Sequence, residues 1–334
     1  MRSKFFEQQK LIVALFLWLI SSLLPLAVSG QAGWSFAQKE NSAAGGGDLV
    51  SVFFTSSEEG WVGGDNGYLA RTTDGGRSWV KRSLSTTENI NEIYFRNDEN
   101  GYVLAGRKIY ITTDKGSNWR ETRIFQLNEL KGLTPEFLSV RFVDKRRGYI
   151  VGSALNRKEE VVDSLVLQTV DGGESWHRIN VPTKVELFHL DFVGDERGWI
   201  VGDKGTILFT EDGGGTWQKQ ASGTDRALYS VDFRNDEEGY IVGGRGVILR
   251  TGNGGRTWEK VASPAAGGLR RVIFTDDKNG FITGLNGVIL RTADKGRTWT
   301  KQESRTPEAL YGLYMEKKYG WAVGGKGVIL RYQR

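Results

Sequence analysis

The stretch GYIVGGRGVILRTGNGGRTWEK, residues 239–260, decides the fold, because each of its parts returns along the chain at a regular interval. Its later half is an eight-residue turn of the pattern Thr-x-Asp-x-Gly-x-Ser/Thr-Trp. Six copies occur: TTDGGRSW (72–79), TTDKGSNW (112–119), TVDGGESW (169–176), TEDGGGTW (210–217), TGNGGRTW (251–258) and TADKGRTW (292–299). The last four tryptophans, Trp176, Trp217, Trp258 and Trp299, are each 41 residues apart. A period of that length marks a propeller, in which each repeat builds one small sheet.

The earlier half of the stretch, a Gly-aromatic strand running into a glycine turn, keeps the same time. It recurs as GWVGG (60–64), GYVLAG (101–106), GYIVG (148–152), GWIVG (198–202), GFITG (280–284) and GWAVGG (320–324), which makes seven units against six turns. Each full unit reads as four short strands, for example SVDFR (230–234), GYIVG, GVILRT (246–251) and TWEKV (257–261). Alternating apolar and polar positions between Gly, Asn and Asp turns are what half-buried antiparallel strands require. The expected fold is all-β, a seven-bladed β-propeller of four-stranded antiparallel blades over residues 31–334. The seventh unit reads only to GVILRYQR and lacks an outer strand, and a bare strand edge presents unpaired N–H and C=O groups. The fragment GWSFAQ (33–38) has the pattern of an outer strand, as in SWVKR (78–82), so the segment around Trp34 is expected to complete the seventh sheet and close the ring.

Composition agrees with one globular, turn-rich body: 39% apolar residues, 45 Gly and 5 Pro. The absence of cysteine excludes disulfides, thiolate metal sites, cysteine nucleophiles and a lipidated N-terminal cysteine. Residues 1–30 stand apart. Arg2, Lys4 and Lys10 precede LIVALFLWLI and SSLLPLAV, followed by the small residues Ala27-Val28-Ser29-Gly30, the layout of a secretory signal peptide. Export to a periplasm, a thylakoid lumen or the extracellular space is therefore expected, with an uncleaved anchor as the alternative. Without these residues the formal charge falls from +5 to +3, which makes no case for nucleic-acid binding.

The repeated turn is an Asp box, a motif that sialidases also carry, but its residues have structural work to do. The Asp oxygen accepts turn N–H groups, Gly supplies positive φ, and Trp packs on the strand pair. Asp74, Asp114, Asp171, Asp212, Asn253 and Asp294, with Trp79, Trp119, Trp176, Trp217, Trp258 and Trp299, are accordingly read as structural. The arginine-isoleucine-proline motif of sialidases is missing, and FRND at 95–98 recurs at 233–236 as part of the repeat. The histidines His177 and His189 read as isolated surface or packing residues, and the boxes lack the ligand spacing of a calcium loop. No catalytic residue, metal or cofactor is expected.

Arginine is distributed unevenly around the ring. Immediately before the box Thr, or its equivalent, stand Arg71, Arg250, Arg291 and Arg331, whereas units two, three and four carry Ile111, Gln168 and Phe209. Units five, six, seven and one are consecutive in a closed ring, so these four arginines should form an arc, with Arg245 adding charge nearby. Guanidinium groups suit an acidic or carboxylate-bearing peptide. The competing reading is that each arginine bridges to a neighbouring blade through inner-turn acids such as Glu58, Glu59, Asp236, Glu237, Asp276 and Asp277. Two insertions, 121–138 and 153–164, interrupt the period and are expected on the face opposite the boxes, where long loops serve partner contact.

The leader, the GVILRT strands, the Gly-aromatic strands and the Asp boxes together resemble the photosystem II stability and assembly factor family of cyanobacteria and plastids, over about residues 49–334. That resemblance implies a lumenal, seven-bladed, non-enzymatic protein that helps reaction-centre subunits assemble. By position, Arg71, Arg250, Arg291 and Arg331 would form its partner surface. The expected partner is a protein, either a photosystem II core subunit or another membrane protein with an acidic segment, bound by a monomer. The alternative is a sialidase-like carbohydrate-binding or glycoside-hydrolysing propeller.

Overall fold

The computed structural model describes residues 33–38, 47–124 and 130–334. The leader at 1–30 and part of the first insertion lie outside the described residues. Seven sheets follow one another along the chain, each with strand order one to four from the hub outwards. The innermost strands are Leu49–Phe54, Ile90–Phe95, Thr134–Phe142, Leu187–Val193, Leu228–Phe233, Leu269–Phe274 and Leu310–Met315, and each packs on the next until the last meets the first. Gly33–Gln38 pairs antiparallel with Ile329–Gln333, with Trp34 opposite Tyr332, and supplies the outer strand of blade seven. Blade three adds a short fifth strand, Arg123–Ile124, parallel to Ser175–Ile179.

One stacking arrangement, repeated around the ring, explains the Gly-aromatic motif. The aromatic of each second strand points into the seam and meets the last apolar residue of the next blade's inner strand. Trp321 stacks on Phe54 at 3.4 Å, Trp199 on Phe233 at 3.4 Å and Tyr240 on Phe274 at 3.9 Å between ring centroids. Gly60 precedes Trp61 because the Phe54 ring lies where a Cβ would stand.

The Asp boxes clamp the same seams. In the first, the Thr72 hydroxyl donates to Asp74 at 2.8 Å and accepts the Gly76 amide at 2.9 Å, while Asp74 accepts the amide and hydroxyl of Ser78 at 2.9 and 2.6 Å. Gly76, at φ 82°, lets the turn lie against the Trp321 indole of the preceding blade. Tyr102 and Tyr240 bind the boxes of the following blades directly, donating to Gly172 at 2.8 Å and Lys295 at 2.9 Å. Blade seven has no box, and there Trp34 packs edge-on against Phe281 of blade six at 6.1 Å.

Hydrogen bonds from Ser78 first, then its amide, Thr72 and Arg77, hold the Asp74 carboxyl down at about 2. A lowered folded-state value means that this contribution is present above the ordinary value of 3.8 and is lost as pH falls toward 2. Blade five shows that charge is dispensable, since Asn253 accepts the Thr257 amide at 3.0 Å and donates to its hydroxyl at 2.9 Å. We therefore expect Asp74→Asn to cost under about 1 kcal/mol and Asp74→Ala about 1–2 kcal/mol in urea unfolding, because only alanine leaves the turn donors unmatched. Equal costs would show that the side-chain bonds do not hold the box.

Candidate functional site

Three regions compete for a functional role, and the arginine arc is the first. Arg71, Arg250, Arg291 and Arg331 occupy equivalent sites opposite Trp61, Tyr240, Phe281 and Trp321 on the neighbouring strand. All four are half-buried on the face bearing the Asp boxes. Arg71, Arg291 and Arg331 lie 5.5–5.8 Å over those rings. Arg71 pairs with Glu59 at 3.0 Å and Arg250 with Glu238 at 3.9 Å, both within their own blade. Arg331 reaches across a seam to the first box; burial, then the charge of Arg77, pushes its guanidinium down from the usual range. Arg245 stands elsewhere, exposed in the turn Gly244–Gly246 between second and third strands, which the antiparallel topology places on the opposite face.

The second region is the cavity that the two insertions build. Thr134–Glu136, Leu155, Asn156, Arg157, Glu159 and Val161 line a space of about 720 Å³ with Glu88, Arg107 and Glu186. Its inner wall is a lengthened hairpin in which Thr134 pairs with Leu155 and Glu136 with Ser153. Phe137, counted with the insertion in the sequence, is instead a core residue of the blade-three inner strand. Burial, then Glu136 and Asp203, pushes the Glu186 carboxyl up to about 7.

The third is the axial channel, where sequence reasoning overlooked a polar network. Each inner strand carries a bulge, after its first residue or, in Thr134–Phe142, after Phe137, and just past it the side chains of Ser51, Glu92, His189 and Ser230 face the next blade. Ser51 accepts the Ile93 amide at 2.9 Å, Glu92 that of Val140 at 2.6 Å and His189 that of Val231 at 3.3 Å. Glu92 also binds Arg141 at 3.1 Å and Arg271, from across the channel, at 2.9 Å. Arg141 contacts His189 Nε2 at 2.9 Å. His189 is therefore a buried member of a charged network, not an isolated packing residue. Burial, then Arg271 and Arg141, pushes its imidazole well below the usual value, keeping it neutral. Burial acts upward on Glu92, but Arg141, Arg271 and the Val140 amide outweigh it and hold the carboxyl down. Aligning the repeats on their Gly-aromatic strands, which sets Ser51, Glu92, Ser139, His189, Ser230, Arg271 and Gly312 at one position, would have exposed this tier.

Comparison with known proteins follows the repeats. The family model described as "Photosynthesis system II assembly factor YCF48" matches residues 29–132, 168–265 and 262–333. The photosystem II assembly lipoprotein Ycf48 of Synechococcus sp. (strain CC9902) is 28% identical over 163 residues, 47% of this chain and 42% of that relative, so less than half of the relative's length is matched. The solved structure titled "YCF48 bound to D1 peptide" superposes with a TM-score of 0.71 over 90% of this chain and 95% of that one, at 19% identity. Virginiamycin B lyase from Staphylococcus aureus superposes with a TM-score of 0.71 at 12% identity, over 90% of this chain and 99% of that one. The fold alone therefore does not separate binding from catalysis. What separates this chain from other propellers is the sequence match across most of its repeats, and by that measure it belongs to the photosynthesis system II assembly factor YCF48 family.

Proposed function

We propose that the chain is an exported, non-enzymatic propeller that binds a membrane-protein partner, a photosystem II subunit, through an acidic or carboxylate-bearing segment laid on the arginine arc. The match of three segments to an assembly-factor family carries this reading. A solved family member with a bound D1 peptide supports a protein partner. The arc supplies suitable chemistry, because planar guanidinium groups fixed over aromatic rings offer donor edges at little further entropic cost. The glycosidase alternative is weaker. Both arginines lining the channel cavity are committed to Glu92, leaving no arginine cluster there to hold a sugar carboxylate.

The test is affinity capture from host membranes, comparing the parent with the fourfold variant Arg71→Gln, Arg250→Gln, Arg291→Gln and Arg331→Gln. Glutamine keeps part of the apolar stem and removes the charge. We expect about a ten-fold or greater loss of one specific membrane partner with thermal melting largely preserved, since partly exposed ion pairs contribute under ~1 kcal/mol each. Undiminished capture would reject the arc as the binding surface.

A further inference from the structure

The residues two positions past the bulge in each of the seven inner strands stand at one depth in the channel: Phe53, Tyr94, Arg141, Asp191, Asp232, Ile273 and Tyr314. They divide by chemistry. Blades seven, one and two contribute an aromatic wall, with Phe53 centred 5.5 Å from Tyr314 and 5.8 Å from Tyr94. Blades four and five, opposite in the ring, contribute Asp191 and Asp232. One oxygen of each aspartate is tied to the following blade, accepting the Phe233 amide at 2.8 Å and the Phe274 amide at 3.0 Å. Neither carboxylate has an ion-pair partner within 4 Å among the described residues. Arg141 turns to Glu92, the Val140 carbonyl and His189, Arg271 turns to Glu92, and Arg234 pairs with Glu238 and Asp277. The aspartates are half-buried and face a cavity of about 240 Å³ that both line with Phe53, Tyr94, Tyr314, Arg141 and Arg271. That space is below the ~300 Å³ of a typical small-molecule site.

We propose that this tier is a socket for one cationic side chain, a lysine or arginine of a polypeptide partner, entering along the propeller axis from the Asp-box face. The entry side follows from depth, since these residues lie at the strand end leading into the first hairpin, on the side of the boxes. An ammonium or guanidinium group there meets the Phe53 and Tyr314 rings on one side, with Tyr94 shared with Arg141, whose guanidinium lies 5.3 Å over that ring, and two carboxylates on the other. It supplies the directly paired positive charge that these half-buried carboxylates lack, since Arg141 acts on them only from beyond 4 Å. Burial pushes both carboxyls up, that of Asp232 further because Asp191 lies beside it, so the empty pair retains a proton near neutral pH. Filling the socket should expel that proton. The inference is independent of the arginine arc, which the glutamine variants remove while leaving the socket intact.

The experiment is calorimetric titration of the full chain at pH 7 with acetylated, amidated Gly-Gly-Lys-Gly-Gly, its norleucine counterpart and n-butylammonium, in two buffers of different ionisation heat. We expect the lysine peptide to bind about ten-fold or more tightly than the norleucine peptide, with proton release. Asp191→Asn and Asp232→Asn, which keep the amide-accepting oxygen, should weaken binding by a similar factor and abolish the proton release without lowering the melting temperature. Tyr94→Leu should weaken binding while proton release persists. Equal affinity for the lysine and norleucine peptides, no binding of either, or unchanged binding by the Asn variants overturns the socket. Butylammonium binding as tightly as the peptide overturns the polypeptide occupant and assigns the site to small free amines.

Discussion

Deleting Gly33–Gln38 is expected to unfold the whole ring rather than one blade. The deletion strips Ile329–Gln333 of its outer partner, leaving a row of unpaired backbone groups and uncovering Tyr332, which is buried. It also removes Trp34, 4% exposed and wedged between Phe281 and Tyr332 at 6.1 and 5.4 Å. No Asp box clamps the seam between blades six and seven, so this indole is the main apolar contact that the outer strand brings there. Trp34→Ala alone should cost about 3–5 kcal/mol through lost burial and the cavity left behind. For a chain of this size that corresponds to a fall in melting temperature of roughly 5–8 °C. Thermal melting and size-exclusion chromatography of both variants test the idea. A deletion variant that stays monomeric and melts like the parent would mean that the ring is closed by other contacts.

Glu92→Gln should be the most damaging single change in the channel. Its side chain is 3% exposed and accepts from Arg141 and Arg271 through one oxygen while the other holds the Val140 amide. Glutamine keeps the shape and removes the only carboxylate within 4 Å of either guanidinium among the described residues. Breaking a buried ion cluster by deleting one partner costs about 3–5 kcal/mol, because the surviving charges are left uncompensated. Replacing all three residues, as Glu92→Leu, Arg141→Met and Arg271→Met, should recover much of that loss, since apolar packing often substitutes for a buried ion triad. Urea unfolding measures both; a Glu92→Gln loss below about 1 kcal/mol would show that water already solvates the arginines. The pH dependence follows the same logic. Because the Glu92 carboxyl is held below its ordinary value of 4.5, its contribution is complete above that pH and is lost as pH falls through the lowered folded-state value. The raised Asp191 and Asp232 act oppositely, costing stability as pH climbs from the ordinary 3.8 through their folded-state values.

Much of the architecture was legible in the chain because it repeats. The 41-residue interval gave the blade, the seven Gly-aromatic strands gave the number of blades, and the match between GWSFAQ and the outer-strand pattern located the closure at Trp34. These are local rules of turn and strand chemistry, so a single repeat contains them and the others confirm them. The hydrogen bonding inside each box followed from the same residues, since Thr, Asp and Gly satisfy one another within eight positions, whereas its clamping of a seam emerged only with the neighbouring blade in place.

The positions lining the channel follow the repeat, but the pairing among their side chains obeyed no local rule. Glu92, Arg141 and Arg271 are separated by 49 and 130 residues, and only the curvature of the ring brings them onto one shared carboxylate. Asp191 and Asp232 look like ordinary polar positions on half-exposed strands until bulges at equivalent places turn them to one depth, facing an aromatic wall from the opposite side of the hub. The arginine arc lies between these cases. Its positions were readable from the repeat. That Arg71 pairs within its own blade, that Arg331 leans across a seam, and that Arg245 belongs to the other face depended on strand direction and side-chain reach, which exist only once the sheets are packed.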